Sequence, residues 1–252
     1  MIFLSYSKRA YPIIYLAVCI TAVITVALFA LWLGRYQGCS NKLPTSLNSE
    51  SDVITFVIDA GHGGEDGGAF ASDGTAEKEL NLEMAKSVAL LLELNGNNVR
   101  MTRTDDTLLY DHYGDLENYK GKKKIYDLKN RVRITEEYKN PVYIGIHMNS
   151  FSSTKYKGMQ VYYSKNNQSS VSLAEVVQEN TSKYMQEWNK RTVKRADSSI
   201  YILDNLECPA VLIECGFLSN GEDLTLLKDS AYRRDMASVI FASAIFSCID
   251  NT

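Results

Sequence analysis

Proline is scarce, with 4 residues in 252; histidine is scarcer at 3, and cysteine stops at 5. So little proline excludes collagen-like and low-complexity classes, and so few cysteines cannot frame a disulfide scaffold of this length. Excess positive charge is missing as well. The 27 Lys and Arg set against 30 Asp and Glu leave a net charge of -3, which removes the clustered cations that a nucleic-acid binder needs. What is present is apolar material, 45% of the residues with 10% aromatic, enough to bury a full core.

Part of that material lies in one uncharged run, Tyr11 to Gly34, which as a helix would span about 36 Å and cross a bilayer. Lys8 and Arg9 precede it, while Arg35 and Lys42 follow, a bias that keeps the N-terminus cytoplasmic and exports the rest. A cleaved signal peptide is the alternative, opposed by the length of the run and the lack of a small-x-small site after it. Cys39 follows the bulky Tyr36 too closely to make a good lipidation site. Residues 1–35 therefore read as a cytoplasmic tip and membrane anchor, and the polar stretch 36–52 as a linker. Residues 53–252 then form one domain.

Within that domain, apolar runs of strand length alternate with helical periodicity. Strands are expected at 53–58, 98–103, 142–146, 158–163, 200–203 and 210–213. Helices are expected from Glu77 to Gly96 and over 125–138, 169–188 and 231–248. This alternation predicts an α/β domain with a twisted, mostly parallel or mixed sheet flanked by helices. Buried free thiols are the expectation for the cysteines outside the anchor, with a Cys208–Cys215 bridge as the alternative.

Three strand ends carry chemistry. The run 53–58 leads into Gly61-His62-Gly63-Gly64, Val142–Ile146 into His147, and Ala210–Ile213 into Glu214. The carboxyl ends of strands are where open α/β sheets build their sites. A Glu ending an apolar strand is costly unless a cation or hydrogen bonds compensate for its lost hydration. Two imidazoles and a carboxylate are a ligand set for catalytic zinc, and a second carboxylate must take the proton of the attacking water. With Glu214 as one acid, Glu77 and Glu79 are both candidates for the other. A phosphate loop does not fit these glycines, because no Gly-Lys-Ser/Thr follows. A cysteine hydrolase using Cys215 is also disfavoured, since neighbours on a strand face opposite ways.

The segments Ile58–Ala69, Glu77–Leu82, Met101–Asp105, Ile146–Ser150 and Leu212–Asn220 together resemble the zinc-dependent N-acetylmuramoyl-L-alanine amidases of the amidase_3 group, in order and over nearly all of 53–248. The resemblance implies that His62, Glu77 and His147 bind one Zn²⁺ and that Glu214 is the catalytic carboxylate. It selects Glu77 over Glu79, because Glu77 opens the Glu-Lys-x-x-Asn-Leu motif. The anchor and Tyr119–Lys124 extend the resemblance to a membrane-bound sporulation type. That type is implied to strip stem peptides from peptidoglycan for muramic-δ-lactam formation in the spore cortex, facing it from the forespore membrane. A vegetative autolysin, a catalytically inactive wall-binding relative and a carboxypeptidase are the rivals.

Asn81 and Arg131 are candidates to orient ligands or substrate, and Asn149 and Ser150 to touch glycan or peptide. His112 reads as an exposed loop residue. Lys120 and Lys122–Lys124 read as a solvated basic loop, or as an attraction for acidic wall polymer or an acidic protein. With no separate wall-binding module in the sequence, a helper protein that orders the site or helps it retain metal is expected among the partners.

Overall fold

The computed structural model describes residue 25 and residues 53–114 and 121–249. The expected anchor, the linker and part of the Tyr-rich stretch thus lie outside the described residues, Thr25 apart. Among the described residues no helix is long and apolar enough to cross a membrane. The elements run β1 (Thr55–Ala60), α1 (Glu77–Leu94), β2 (Asn98–Met101), α2 (Lys123–Glu136), β3 (Pro141–Asn149), β4 (Gln160–Tyr163), α3 (Ser169–Tyr184), β5 (Lys194–Arg195), α4 (Tyr201–Asn205), β6 (Ala210–Phe217), α5 (Gly221–Lys228) and α6 (Ser230–Ile249).

The six strands form one sheet in the order β2-β1-β3-β6-β4-β5. Strands β2, β1, β3 and β6 are parallel, whereas β4 is antiparallel to β6 and carries β5 parallel to itself. The sheet is therefore mixed. Its central strands are buried on both faces, which is why they read as unbroken apolar runs rather than alternating ones. On one face Ile58, Ile144 and Ile213 pack with Met84 and Val88 of α1, Leu173 and Val177 of α3, and Met236 and Ile240 of α6. On the other, Val57, Tyr143 and Leu212 meet Val132 of α2 and Ile202 and Leu203 of α4. Each fully buried aliphatic side chain contributes about 1.5–3 kcal/mol.

Helix α1 forms because Leu80, Met84, Val88 and Leu92 recur on one buried face, and Glu77 and Glu79 in its first turn suit the positive end of the helix dipole. It ends at Leu94 with Asn95 as its cap, and Gly96 just beyond, at φ +84°, takes the left-handed conformation that closes helices.

Residues 200–203 correct the sequence expectation: they enter helix α4, not a strand. A helical turn presents Ile202 and Leu203, with Leu206 just beyond it, to the same apolar cluster, where a strand would send alternate residues outward. Helix α3 ends at Tyr184 rather than at Trp188. Helix α5 and the two-residue β5 had not been expected. Cys208, Cys215 and Cys248 are free thiols, so the Cys208–Cys215 bridge is absent.

Candidate metal centre

Strands β1, β3 and β6 lie side by side; β1 ends at Ala60 opposite Ile146, while β3 and β6 run past their expected ends at Ile146 and Ile213 to Asn149 and Phe217. Asp59 pairs with Gly145 and His147 with Glu214. Because side chains alternate along a strand, Asp59, Tyr143, His147 and Glu214 share the face that Val57 and Leu212 line. Cys215 turns to the opposite face and is 1% exposed within the larger core. Burial pushes its thiol far above the usual range, which removes it as a nucleophile.

His62 follows β1 with a φ of +61°, a left-handed conformation that costs a non-glycine residue free energy and concentrates at functional sites. The surrounding structure holds it there. Arg131 donates from Nη2 to the His62 carbonyl at 2.8 Å and from Nη1 to that of Ala60 at 2.8 Å. Gly61 must be glycine, since a Cβ there would sit 2.2 Å from Cε1 of His147. Gly68, at φ +69°, would place a Cβ 2.5 Å from Oε2 of Glu77.

These constraints bring three groups to one point. Glu77 Oε1 lies 3.2 Å from Nε2 of His62 and 3.0 Å from Nδ1 of His147, and donor atoms of all three residues lie within 4.8 Å of one another. The spacing approaches the edge of about 3.3 Å expected between ligands of a tetrahedral zinc with bonds of about 2.0–2.1 Å. Donor chemistry and spacing together fit zinc.

The carboxylate is held from behind. Glu77 is buried, and its oxygens accept from the Ala69 and Met148 backbone N–H groups at 2.8 and 3.2 Å and from Asn81 Nδ2 at 3.1 Å. Burial opposes its charge, but hydrogen bonds with His147 and His62 hold its carboxyl well below the usual range. Burial likewise opposes a charge on His62, yet bonds to Asp66 and Glu77 push its imidazole up to about 9. Asp66 Oδ2 stands 3.0 Å from Nδ1 of His62, the carboxylate–histidine arrangement that leaves the other ring nitrogen for a metal.

Glu214 is different in kind. Its Oε2 is buried and finds no hydrogen-bond partner among the described residues. Desolvation, reinforced by the Glu77 charge and only partly offset by His147 and His62, pushes its carboxyl up to about 7. Gln160, its cross-strand neighbour on β4, is buried with Oε1 equally without a partner. A carboxyl poised near neutrality beside an imidazole–carboxylate cluster can exchange protons at physiological pH.

The three expected ligands therefore converge, and Glu214 stands opposite His147 across the β3–β6 ladder. Asn81 and Arg131 are 0% and 1% exposed and hydrogen-bond to the backbone around His62, Asn81 to the Gly61 carbonyl and Arg131 to those of Ala60 and His62. Asn149 is the last residue of β3, two positions after His147, and Ser150 follows it, exposed. His112 is exposed and packs on Tyr113, apart from the cluster. The basic run is less free than it reads: Lys123 pairs with Glu65 and Lys124 with Asp66, 3.4 Å away. The sequence reading missed Asp59, Asp66, Arg103 and Gln160. Arg103 clamps the Ala60 and Gly61 carbonyls at 2.8 and 2.9 Å. Asp59 had a signal, as a charge inside an apolar strand.

Comparison with known proteins agrees with this geometry. A family profile described as N-acetylmuramoyl-L-alanine amidase, Amidase_3, matches residues 56–245. The germination-specific N-acetylmuramoyl-L-alanine amidase of Bacillus subtilis is 35% identical over 215 residues, 84% of this chain and 86% of that protein. The probable cell wall amidase LytH of Staphylococcus aureus is 32% identical over 188 residues, 74% of this chain but 55% of its own length. Among solved structures, the CwlD amidase from Clostridioides difficile in complex with the GerS lipoprotein aligns with a TM-score of 0.72 and 37% identity, over 77% of this chain and 98% of that one. A strand-end cluster that fits a metal, a buried acid beside it and these likenesses lead to one statement: the chain belongs to the Amidase_3 family of N-acetylmuramoyl-L-alanine amidases.

Proposed function

We propose that this protein is a zinc-dependent amidase that cuts the bond between the lactyl group of N-acetylmuramic acid and L-alanine, releasing whole stem peptides from spore-cortex peptidoglycan. The observation that carries the reading is the convergence of His62, Glu77 and His147 beside a carboxyl, Glu214, lifted to about 7. Zinc held by those three residues would supply Lewis acidity and a more acidic water.

The remaining work falls to the chain. Glu214 accepts the proton of the attacking water as oxygen bonds to the lactyl carbonyl carbon. It then returns the proton to the L-alanine nitrogen as the carbon–nitrogen bond breaks. Its buried Oε2, free of other hydrogen bonds, is available for both transfers. Asp66, Asn81 and the Ala69 and Met148 amides fix the orientation of His62 and Glu77, so little reorganisation accompanies reaction. Asn149 and Ser150, at the rim, are the residues we assign to substrate contact.

The cortex assignment is supported by the germination-specific relative. We assign residues 1–35 as the membrane anchor, 36–52 as the linker and 53–252 as the catalytic domain, held outside the cytoplasm at the forespore membrane. The complex of the C. difficile amidase with a lipoprotein supports a helper protein here too. Digestion of purified peptidoglycan tests the activity: stem peptides with free N-terminal L-alanine and lactyl carboxyl left on the glycan are expected, lost with chelator and restored by zinc. Products cut within the stem peptide would instead identify a carboxypeptidase. Glu214→Ala is expected to retain zinc and lose cleavage; wild-type turnover in that variant would refute the assignment.

A further inference from the structure

Beyond the metal cluster, the strand ends lead into an aromatic surface with no part in the chemistry above. After the His147–Glu214 pair the β3–β6 register shifts, and the next partners are Asn149 and Phe217. Two residues on, Phe151 is 54% exposed, and it is followed by Tyr156 at 47% and Trp188 at 45%. The rings are linked. Phe151 meets Tyr156 edge-on with centroids 5.0 Å apart, Tyr156 stacks on the buried Phe217, and the Arg191 guanidinium lies 5.9 Å from the Tyr156 centroid. Arg191 Nε donates to the Lys157 carbonyl at 3.2 Å, and Lys157 Nζ stands 4.6 Å over Trp188.

This band is built. The Phe151 amide donates to Ser219 Oγ at 3.1 Å, Asn220 Nδ2 to the Thr154 carbonyl at 2.7 Å, and the Gly158 amide to Asp223 Oδ2 at 2.8 Å. The start, middle and end of the loop are thus fastened to the turn after β6 and to α5. Contiguous exposed aromatic surface on a fixed frame marks a binding site, and aromatic residues join an apolar face to polar surroundings.

We propose that Phe151, Tyr156, Arg191 and Trp188 form a carbohydrate subsite that holds the N-acetylhexosamine rings of the glycan strand. The inference rests on the amidase reading above. A pyranose ring has an apolar C–H face that an aromatic ring covers, and hydroxyl and acetamido groups at its rim that a guanidinium such as that of Arg191 can reach, while Lys157 is paired with Glu222. Position favours sugar over a protein partner. The scissile amide hangs from a sugar ring through one lactyl group, so sugar must lie within a few bonds of the reacting atoms, and the band leaves the strand ends that carry His147 and Glu214.

The test is binding of peptide-free glycan strands to the full chain, by calorimetry and by Trp188 fluorescence, for wild type and for Phe151→Ala, Tyr156→Ala and Tyr156→Phe. Each alanine variant is expected to raise Kd about tenfold, the value of one aromatic contact. On peptide-bearing polymer the loss falls on KM rather than kcat, and Tyr156→Phe, which keeps the ring, behaves as wild type. Thermal melts identify any variant that is merely misfolded, and Phe151, the more exposed ring, guards against that outcome for Tyr156. Folded alanine variants with a Kd within about twofold of wild type overturn the proposal, and a protein partner then becomes the occupant of the band. Wild-type protein that binds glycan through these rings yet frees no stem peptide overturns the amidase reading and leaves the subsite standing.

Discussion

Two carboxylates interrupt apolar strands on the same sheet face, and the protein treats them in opposite ways. Asp59 of β1 is enclosed by donors: the Arg131 guanidinium, the Thr102 hydroxyl and the Tyr143 hydroxyl, the last at 2.6 Å. Burial opposes its charge, but Arg131, Thr102 and Tyr143 together hold its carboxyl below the usual range. Two strands away, Glu214 has a buried oxygen with no partner and a carboxyl raised to about 7. A charge within an apolar strand is therefore not a catalytic signature by itself. Its surroundings decide: complete neutralisation produces a structural joint, and incomplete neutralisation produces a group able to change charge.

The largest effect that should separate the two regions is on rate. Glu214→Gln removes the proposed proton acceptor at nearly constant shape and is expected to lower kcat by about 10²–10⁴-fold, measured as stem peptide released per unit time. Zinc content should stay at the wild-type level. If Asp59→Asn reduced kcat as far with stability intact, the contrast between the two acids would collapse.

On the Asp59 side the expected loss is of stability. Arg131→Leu leaves Asp59 and Asp127 buried without their cation, and removing one partner from such a pair costs about 3–5 kcal/mol. Urea unfolding of the variant reads this cost directly. An Arg131→Leu protein as stable as wild type would mean that the cluster is not the joint described here.

A third expectation concerns pH. The folded carboxyl of Glu214, at about 7, lies above the ordinary glutamate value. Between the two values the folded protein binds the extra proton, so this group contributes less to stability as pH rises through that window. Chelator-treated wild type should thus lose up to about 3 kcal/mol relative to Glu214→Gln between pH 4.5 and 7. Melting curves of both proteins at pH 5 and 8 check it, and a constant gap between them would contradict the buried, unpartnered state of Glu214.

Much of this was legible in the sequence, because apolar runs interrupted just before His62, at His147 and at Glu214 mark the carboxyl-terminal parts of their strands, although β3 and β6 run on to Asn149 and Phe217. The reasoning that singled out Glu214 applied equally to Asp59, and only tertiary structure distinguishes them: Arg131, the neutralising cation, is 72 residues away. Short apolar runs hide their type; residues 200–203 satisfied a strand pattern while the core needed a helical turn. Helix α5 had a readable signal in Asn220, whose side chain accepts from the Glu222 and Asp223 amides, but the helix has 8 residues and little apolar periodicity. The clamp that Arg103 forms could not be read, since the Ala60 and Gly61 carbonyls it holds lie more than forty positions earlier.

The smallest effect belongs to Asp66, the partner of His62. It is not among the three residues that would hold a metal, yet it fixes His62 through Nδ1, and losing such a supporting carboxylate lowers metal affinity by about 10–100-fold. Asp66→Asn should therefore weaken zinc retention, read by competition with a chromogenic chelator. The same bond helps hold the His62 imidazole at about 9, so below that pH the metal must displace a proton. Asparagine relieves part of that competition. The affinity deficit of Asp66→Asn should thus be greatest near pH 9 and shrink toward pH 6, and a deficit that instead grew on acidification would show that Asp66 does not act through His62.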